Sequence, residues 1–120
     1  MMKPEELQVY QLAMVIGDEI WRIVDDWSYF VKDAFSKQLI RAADSIAANI
    51  AGGVGRYHYK ENLNFCYYSR GSLRETVTWL PKALNRNLIS KEKFTELKQL
   101  CELLSIKLNN YIKTIGNGLR

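Results

Sequence analysis

The 120-residue sequence predicts an all-α protein, an antiparallel up-down four-helix bundle built as a single domain over residues 1–120. Three observations carry that prediction. Apolar residues recur in steps of three and four over long stretches, the spacing of a helix that buries one stripe. Prolines number only two, Pro4 and Pro81, so the chain has few breakers. Most of the seven glycines gather at 52–55 and 116–118, where helix ends are wanted. At this length the chain is one domain with one core by the usual size relation.

The first helix opens at Pro4-Glu5-Glu6, a proline in the first turn with acids at the positive end of the helix dipole. Leu7, Tyr10, Met14, Gly17, Trp21 and Val24 then step by three and four, and Val9, Leu12, Ile16, Ile20 and Ile23 form a second apolar row. Gly17 costs about 1 kcal/mol in a helix interior, which suggests that a neighbouring helix comes close there. Residues 25–32, DDWSYFVK, read as a connection whose aromatics cap one end of the core. The second helix starts near Asp33 or Ser36, either of which fits an N-cap. It carries Leu39, Ala43, Ile46 and Ile50 on its seam and is thin, with alanines at 42, 43, 47, 48 and 51. Thinness allows close packing at the bundle centre or at a subunit contact.

The third helix covers Asn62 to Asn87, with Leu63, Cys66, Leu73, Val77, Leu80 and Leu84 in heptad steps and Arg70 as the one charged interruption. Pro81 falls inside that pattern without a phase break, so a kink is expected and not an end. Residues 85–89 form the next turn. The fourth helix opens on Ser90, with Glu92 in its first turn, and runs through Phe94, Leu97, Cys101, Leu104, Leu108, Tyr111 and Ile115.

Composition bounds the function. The chain is 48% hydrophobic and 25% charged, ordinary for a soluble globular protein. A net charge of +4 fits a nucleic-acid or acidic-protein partner without demanding one. Cys66 and Cys101 are too few and too far apart for a disulfide scaffold or a zinc site, and their seam positions suggest buried thiols in a reducing, cytoplasmic setting. The N-terminus lacks the layout of a signal peptide, and no apolar run approaches the ~20 residues of a membrane span. His58 is the sole histidine and has no nucleophile or acid arranged around it in sequence. No spacing certifies a catalytic dyad or a metal set, so no enzyme, cofactor or metal is expected.

Two blocks are distinctive: QLIRAADSIAANIAGGVGR at 38–56 and RGSLRE at 70–75. In this order they resemble the four-helix-bundle proteins encoded in intervening sequences of 23S ribosomal RNA genes. A related branch contains the accessory variability proteins of diversity-generating retroelements. The resemblance covers about residues 5–115. It implies a homopentamer with a basic outer surface, an association with ribosomal RNA loci in one branch, and binding of a reverse transcriptase and nucleic acid in the other. Family members usually carry proline where this chain has Ala47 and glutamate where it has Gly52. The missing proline suggests a straighter second helix.

Three residue sets are candidates for function. Arg56, Tyr57, His58, Lys60, Arg74, Lys82 and Arg86 form a nucleic-acid-binding set, with tyrosines to stack on unpaired bases, or else a solvated rim. Arg41, Asp44, Ser45 and Asn49 lie on or near one helical face, either as a partner-binding strip or as a strip that fixes register in the bundle or oligomer. Arg70, on a seam, needs a partner, for which Asp44 and Glu75 are chemically suitable. The functional expectation is a non-enzymatic oligomeric adaptor associating with RNA or an RNA–protein complex. The alternative is a protein-binding scaffold, for a partner such as a reverse transcriptase, without direct nucleic-acid contact.

Overall fold

The computed structural model describes residues 3–118. A 3-10 turn (Pro4–Glu6) leads to α1 (Gln8–Asp25), and α2 (Tyr29–Val31) passes through a π-helical turn (Lys32–Ser36) into α3 (Lys37–Gly53). Two 27-residue helices follow, α4 (Tyr59–Asn85) and α5 (Lys91–Asn117). The long helices pack in the cyclic order α1–α3–α4–α5, each chiefly on the two beside it, in a body of 49 × 23 × 20 Å. Contacts show every neighbouring pair to be antiparallel. Early and late residues meet across α1 and α5, where Lys107 bonds Gln8 and Lys93 bonds Glu19. The same holds across α3 and α4, where Gly53 meets Asn62 and Ser69 bonds Ile46. This is the up-down arrangement that the helical periodicity predicts, and no strand occurs among the described residues.

The seam of α5 is the one the sequence predicts: Leu97, Cys101, Leu104, Leu108 and Ile115 are buried, and the Ser90 hydroxyl caps the helix by accepting from the Lys93 N–H at 3.0 Å. Elsewhere the structure corrects the sequence. In α1 the buried face is Val9, Ala13, Ile16, Ile20 and Val24, close to the second apolar row, while Met14 and Trp21 of the first row are exposed. The helical turn at Pro4 is 3-10 and stops before α1 begins.

Residues 29–32, expected in a connection, are already helical. Neither Asp33 nor Ser36 is the cap. Ser28 is, accepting from the Val31 N–H at 3.3 Å, and Ser36 is buried with its hydroxyl donating to the Lys32 carbonyl inside the π turn. Such turns insert one extra residue into a helix and swing the following side chains. Only part of the expected aromatic cap forms. Trp27 is buried, stacked on Phe35 at 5.7 Å and donating its indole N–H to the Leu88 carbonyl at 3.0 Å, whereas Tyr29 and Phe30 stay exposed.

The seam of α4 is shifted as well. Leu63, Cys66, Leu73 and Leu80 are buried as expected, yet the positions between them are filled by Ser69 and Thr76, and not by Arg70 and Val77. Both hydroxyls are spent on carbonyls, Ser69 on Ile46 at 2.8 Å and Thr76 on Ser72 at 2.9 Å, so neither is buried without a partner. The helix continues through Pro81 to Asn85.

The shifted seam has a direct consequence for stability. Leu80→Ala removes a fully packed side chain and is expected to cost about 2–5 kcal/mol. Val77→Ala, at a position 41% exposed, is expected to cost under ~1 kcal/mol. Urea unfolding of the two variants measures the difference, and equal costs would restore Val77 to the core.

Candidate nucleic-acid interface

The connection between α3 and α4 brings Arg56, Tyr57, His58 and Lys60 together at one end of the bundle. Two glycines make this end possible. A β-carbon on Gly52 would lie 2.8 Å from the Phe65 ring, and one on Gly53 would lie 3.0 Å from the Phe65 β-carbon. The end of α3 therefore lies directly on the start of α4, and the chain turns through Gly55 at φ 82°.

Arg56 is held on both sides. Its Nε donates to the Gly52 carbonyl at 2.9 Å, closing the C-terminus of α3, and its guanidinium lies 4.8 Å over the Phe65 ring. Tyr57 is 92% exposed and meets only the edge of His58, at 4.8 Å between ring centres. His58 is the N-cap of α4 but makes no side-chain cap bond, and Lys60 is exposed in the first turn. Gly118, at the end of α5, packs beside Tyr59. Cations and exposed aromatic faces thus share one surface, the combination that holds a phosphate backbone and stacks an unpaired base.

The other basic candidates lie elsewhere. Lys82 and Arg86 are at the far end of α4, about 33 and about 39 Å from Lys60 at 1.5 Å per residue. Each already covers a ring: Lys82 Nζ is 5.6 Å from the centre of Trp79, and Arg86 is 5.1 Å from that of Phe35. Arg74 is exposed midway along α4. The seven predicted residues therefore form one four-residue cluster, one distant pair and one isolated arginine.

The polar sets also resolve. Arg41 and Asp44 are exposed on α3, Ser45 and Asn49 are half-buried, and among the described residues none of the four makes a side-chain hydrogen bond or ion pair. Asp44 sits over the bare backbone of Gly17, its Oδ1 2.9 Å from where a β-carbon would stand. Partial desolvation of its carboxyl against α1, and then the charge of Asp18, raise its pKa above the usual carboxylate value. Arg70 pairs with neither Asp44 nor Glu75. Its Nη1 donates to the Asn109 side-chain Oδ1 at 3.2 Å across the α4–α5 groove, and its guanidinium lies 5.1 Å from the centre of the Tyr67 ring. An amide oxygen and a ring face suffice because the side chain is only half-buried.

Burial pushes the Cys66 thiol to about 11 and that of Cys101 to about 12, so both remain protonated and unreactive at neutral pH. Among the described residues no three His, Cys, Asp or Glu side chains gather as a metal site would require, and no helix is long and apolar enough to cross a membrane.

Residues 5–110 match the model of the 23S rRNA-intervening sequence protein family. The chain belongs to that family. A crystal structure of an S23 ribosomal protein family member from Bacteroides thetaiotaomicron VPI-5482, a protein of unknown function, has the same fold. Its TM-score is 0.78 at 20% identity, over 88% of this chain and 98% of that one. No curated protein matches the chain.

The family departures now have local meaning. At position 52 a β-carbon would strike the Phe65 ring where it now lies, so the glycine lets that ring pack on the end of α3, and with Ala47 in place of proline α3 runs unbroken to Gly53. Within the RGSLRE block, what the sequence did not convey is the setting of Gly71, which is exposed in mid-α4 with nothing within 4 Å of its would-be β-carbon. A glycine in a helix interior is visible in sequence, whereas the empty space beside it is not.

Two tests follow from this geometry. Arg56→Ala is expected to lower stability by about 1 kcal/mol through loss of the helix closure and ring contact, while Lys60→Ala leaves the thermal midpoint within error. Asp44 behaves in the opposite sense to a salt-bridged acid. With its pKa raised, the folded chain holds the proton more tightly than the unfolded chain, so ionisation opposes folding at neutral pH and the opposition fades as pH falls through the carboxylate range. Asp44→Asn is expected to raise the unfolding temperature of dilute protein at neutral pH, with the gain vanishing in acid. A gain independent of pH would contradict the assignment.

Proposed function

We propose that the protein is a non-enzymatic, oligomeric helical adaptor that engages structured RNA, or an RNA–protein complex, through its basic end. The observation that carries this reading is the grouping of Arg56, Tyr57, His58 and Lys60 on one exposed surface. The family's association with 23S ribosomal RNA intervening sequences supports an RNA partner over a merely solvated rim. Repetition of a weakly basic surface in an oligomer sums modest affinities. A cytoplasmic setting belongs to the same reading, supported by two buried free cysteines.

A second reading, a protein-binding scaffold without direct nucleic-acid contact, draws on a different surface. Ile106 is 61% exposed beside Leu103, with Val15 exposed on the neighbouring α1. Such a scaffold would hold a protein partner, for which a reverse transcriptase is one candidate. Capture of a partner that survives nuclease treatment favours it.

Binding of a structured RNA across a salt series tests the first reading. Affinity should fall linearly on logarithmic axes, and the Arg56→Ala/Lys60→Ala pair should weaken binding and lower the slope by about 1–2. Lys98→Ala, exposed on α5 and far from the cluster, should change little. If the double variant binds as well as the parent at moderate salt, the basic end is not the interface.

A further inference from the structure

We propose that the α1–α3 face of one copy docks on the outer face of α4 of the next, so that Asp18 and Asp44 meet Arg70 and Arg74 across a head-to-tail contact. The proposal rests on the oligomeric part of the reading above and assigns it an interface.

Each face carries charge that the chain does not neutralise. Asp18 and Asp44 lie close enough to repel, and among the described residues neither is in an ion pair. Arg41, one turn from Asp44, is bonded to neither. On α4, among the described residues, Arg74 has no acidic partner and Arg70 has only an amide and a ring. Glu102 lines the same groove without reaching ion-pair distance of either arginine. By contrast, the α1–α5 face is neutralised within the chain, where Lys93 bridges Glu19 at 2.7 Å and Glu96 at 3.3 Å. Charges of opposite sign left over on two different faces fit each other, whereas a two-fold contact would set acid against acid.

Shape matches charge. Tyr67, Gly71, Arg74 and Thr78 fall on one stripe of α4 by helical spacing. Gly71 leaves a notch in it that no residue of the same copy fills. The acidic face carries the opposite relief, with Trp21 58% and Met14 42% exposed beside Asp18. An exposed glycine in a helix interior weakens the helix for no gain inside the copy. A large side chain seated on it from outside supplies the missing reason.

The heights also agree. Gly17 lies against Asp44, and the antiparallel register that sets Ser69 on Ile46 and Asn62 beside Gly53 brings Asp44 level with Gly71. Copies standing side by side about an axis parallel to the bundle meet without sliding, and the rotation from one copy to the next decides whether such heterologous contacts close into a ring.

Light scattering and sedimentation of the parent and four variants test this, with circular dichroism confirming the fold of each. The parent should be an oligomer. Asp18→Lys/Asp44→Lys and Arg70→Glu/Arg74→Glu should each associate at least tenfold more weakly, and the four substitutions combined in one chain should restore the oligomer. Gly71→Gln should raise the unfolding temperature of the single copy while weakening association, a pairing that misfolding cannot produce. An oligomer indifferent to all of these, or a combined variant that fails to reassemble, overturns the assignment of faces and leaves the oligomeric adaptor standing. A parent monomeric at every concentration overturns both.

Discussion

The close approach of α3 to α4 governs the molecule. Small residues make it possible: Ala42, Ala43 and Ala47 are buried on α3, and Gly53 lies against the first turn of α4. A single internal hydrogen bond, Ser69 to the Ile46 carbonyl, then ties the two helices at mid-height. Breaking it would leave a hydroxyl in a dry seam, and sliding α4 by a residue would drive Phe65 into another part of α3. Register is thus specified by one polar contact and by steric exclusion at both glycines. The basic end inherits that register, because Arg56 is fastened to Gly52 and Phe65, the same groups that fix the helix pair.

Much of this was legible in the sequence. In α5 every seam position carries a large apolar residue or a cysteine, and the period alone locates its face. In α4 the same method fails at two positions, since Ser69 and Thr76 are polar by type and core by placement. Their hydroxyls find carbonyls that no linear pattern reveals. In α1 the error runs the other way: Met14 and Trp21 are large and apolar, satisfy the step pattern, and yet face outward. Periodicity reports which residues can share a face, and the neighbours decide which face is buried. The start at Tyr29 was hidden for a different reason. Ser28 is an ordinary cap, but Tyr29, Phe30 and Val31 have weak helix propensity, and a π turn breaks the 3.6-residue period that would have joined them to α3.

The candidate site was legible as chemistry and not as geometry. Arg56, Tyr57, His58 and Lys60 are neighbours in sequence and remain neighbours in space. Lys82 and Arg86 share their residue type but lie a helix length away, where Trp79 and Phe35 already cover them. Arg70 shows the same limit. Charge logic requires a counter-ion for a deeply buried guanidinium, whereas the side chain is half-buried and is met by Asn109 and Tyr67. Depth of burial decides which partner is needed, and depth is what a sequence pattern conveys least well.

The two proposals constrain each other through the long axis of the bundle. The basic cluster sits at one end, whereas Asp18, Asp44 and Gly71 share a level nearer the middle. Association at that level therefore leaves Arg56, Tyr57, His58 and Lys60 uncovered. Rotation about an axis parallel to the helices also keeps every copy pointing the same way, so all basic ends lie on one rim. A face-to-face pair of copies would instead put them at opposite poles of the pair, separated by roughly the 49 Å length of one copy, so that one partner would have to span the whole pair to meet both. On the proposed reading, a modest charge of +4 per chain gains most in the first geometry, because there the clusters would be summed over a common partner.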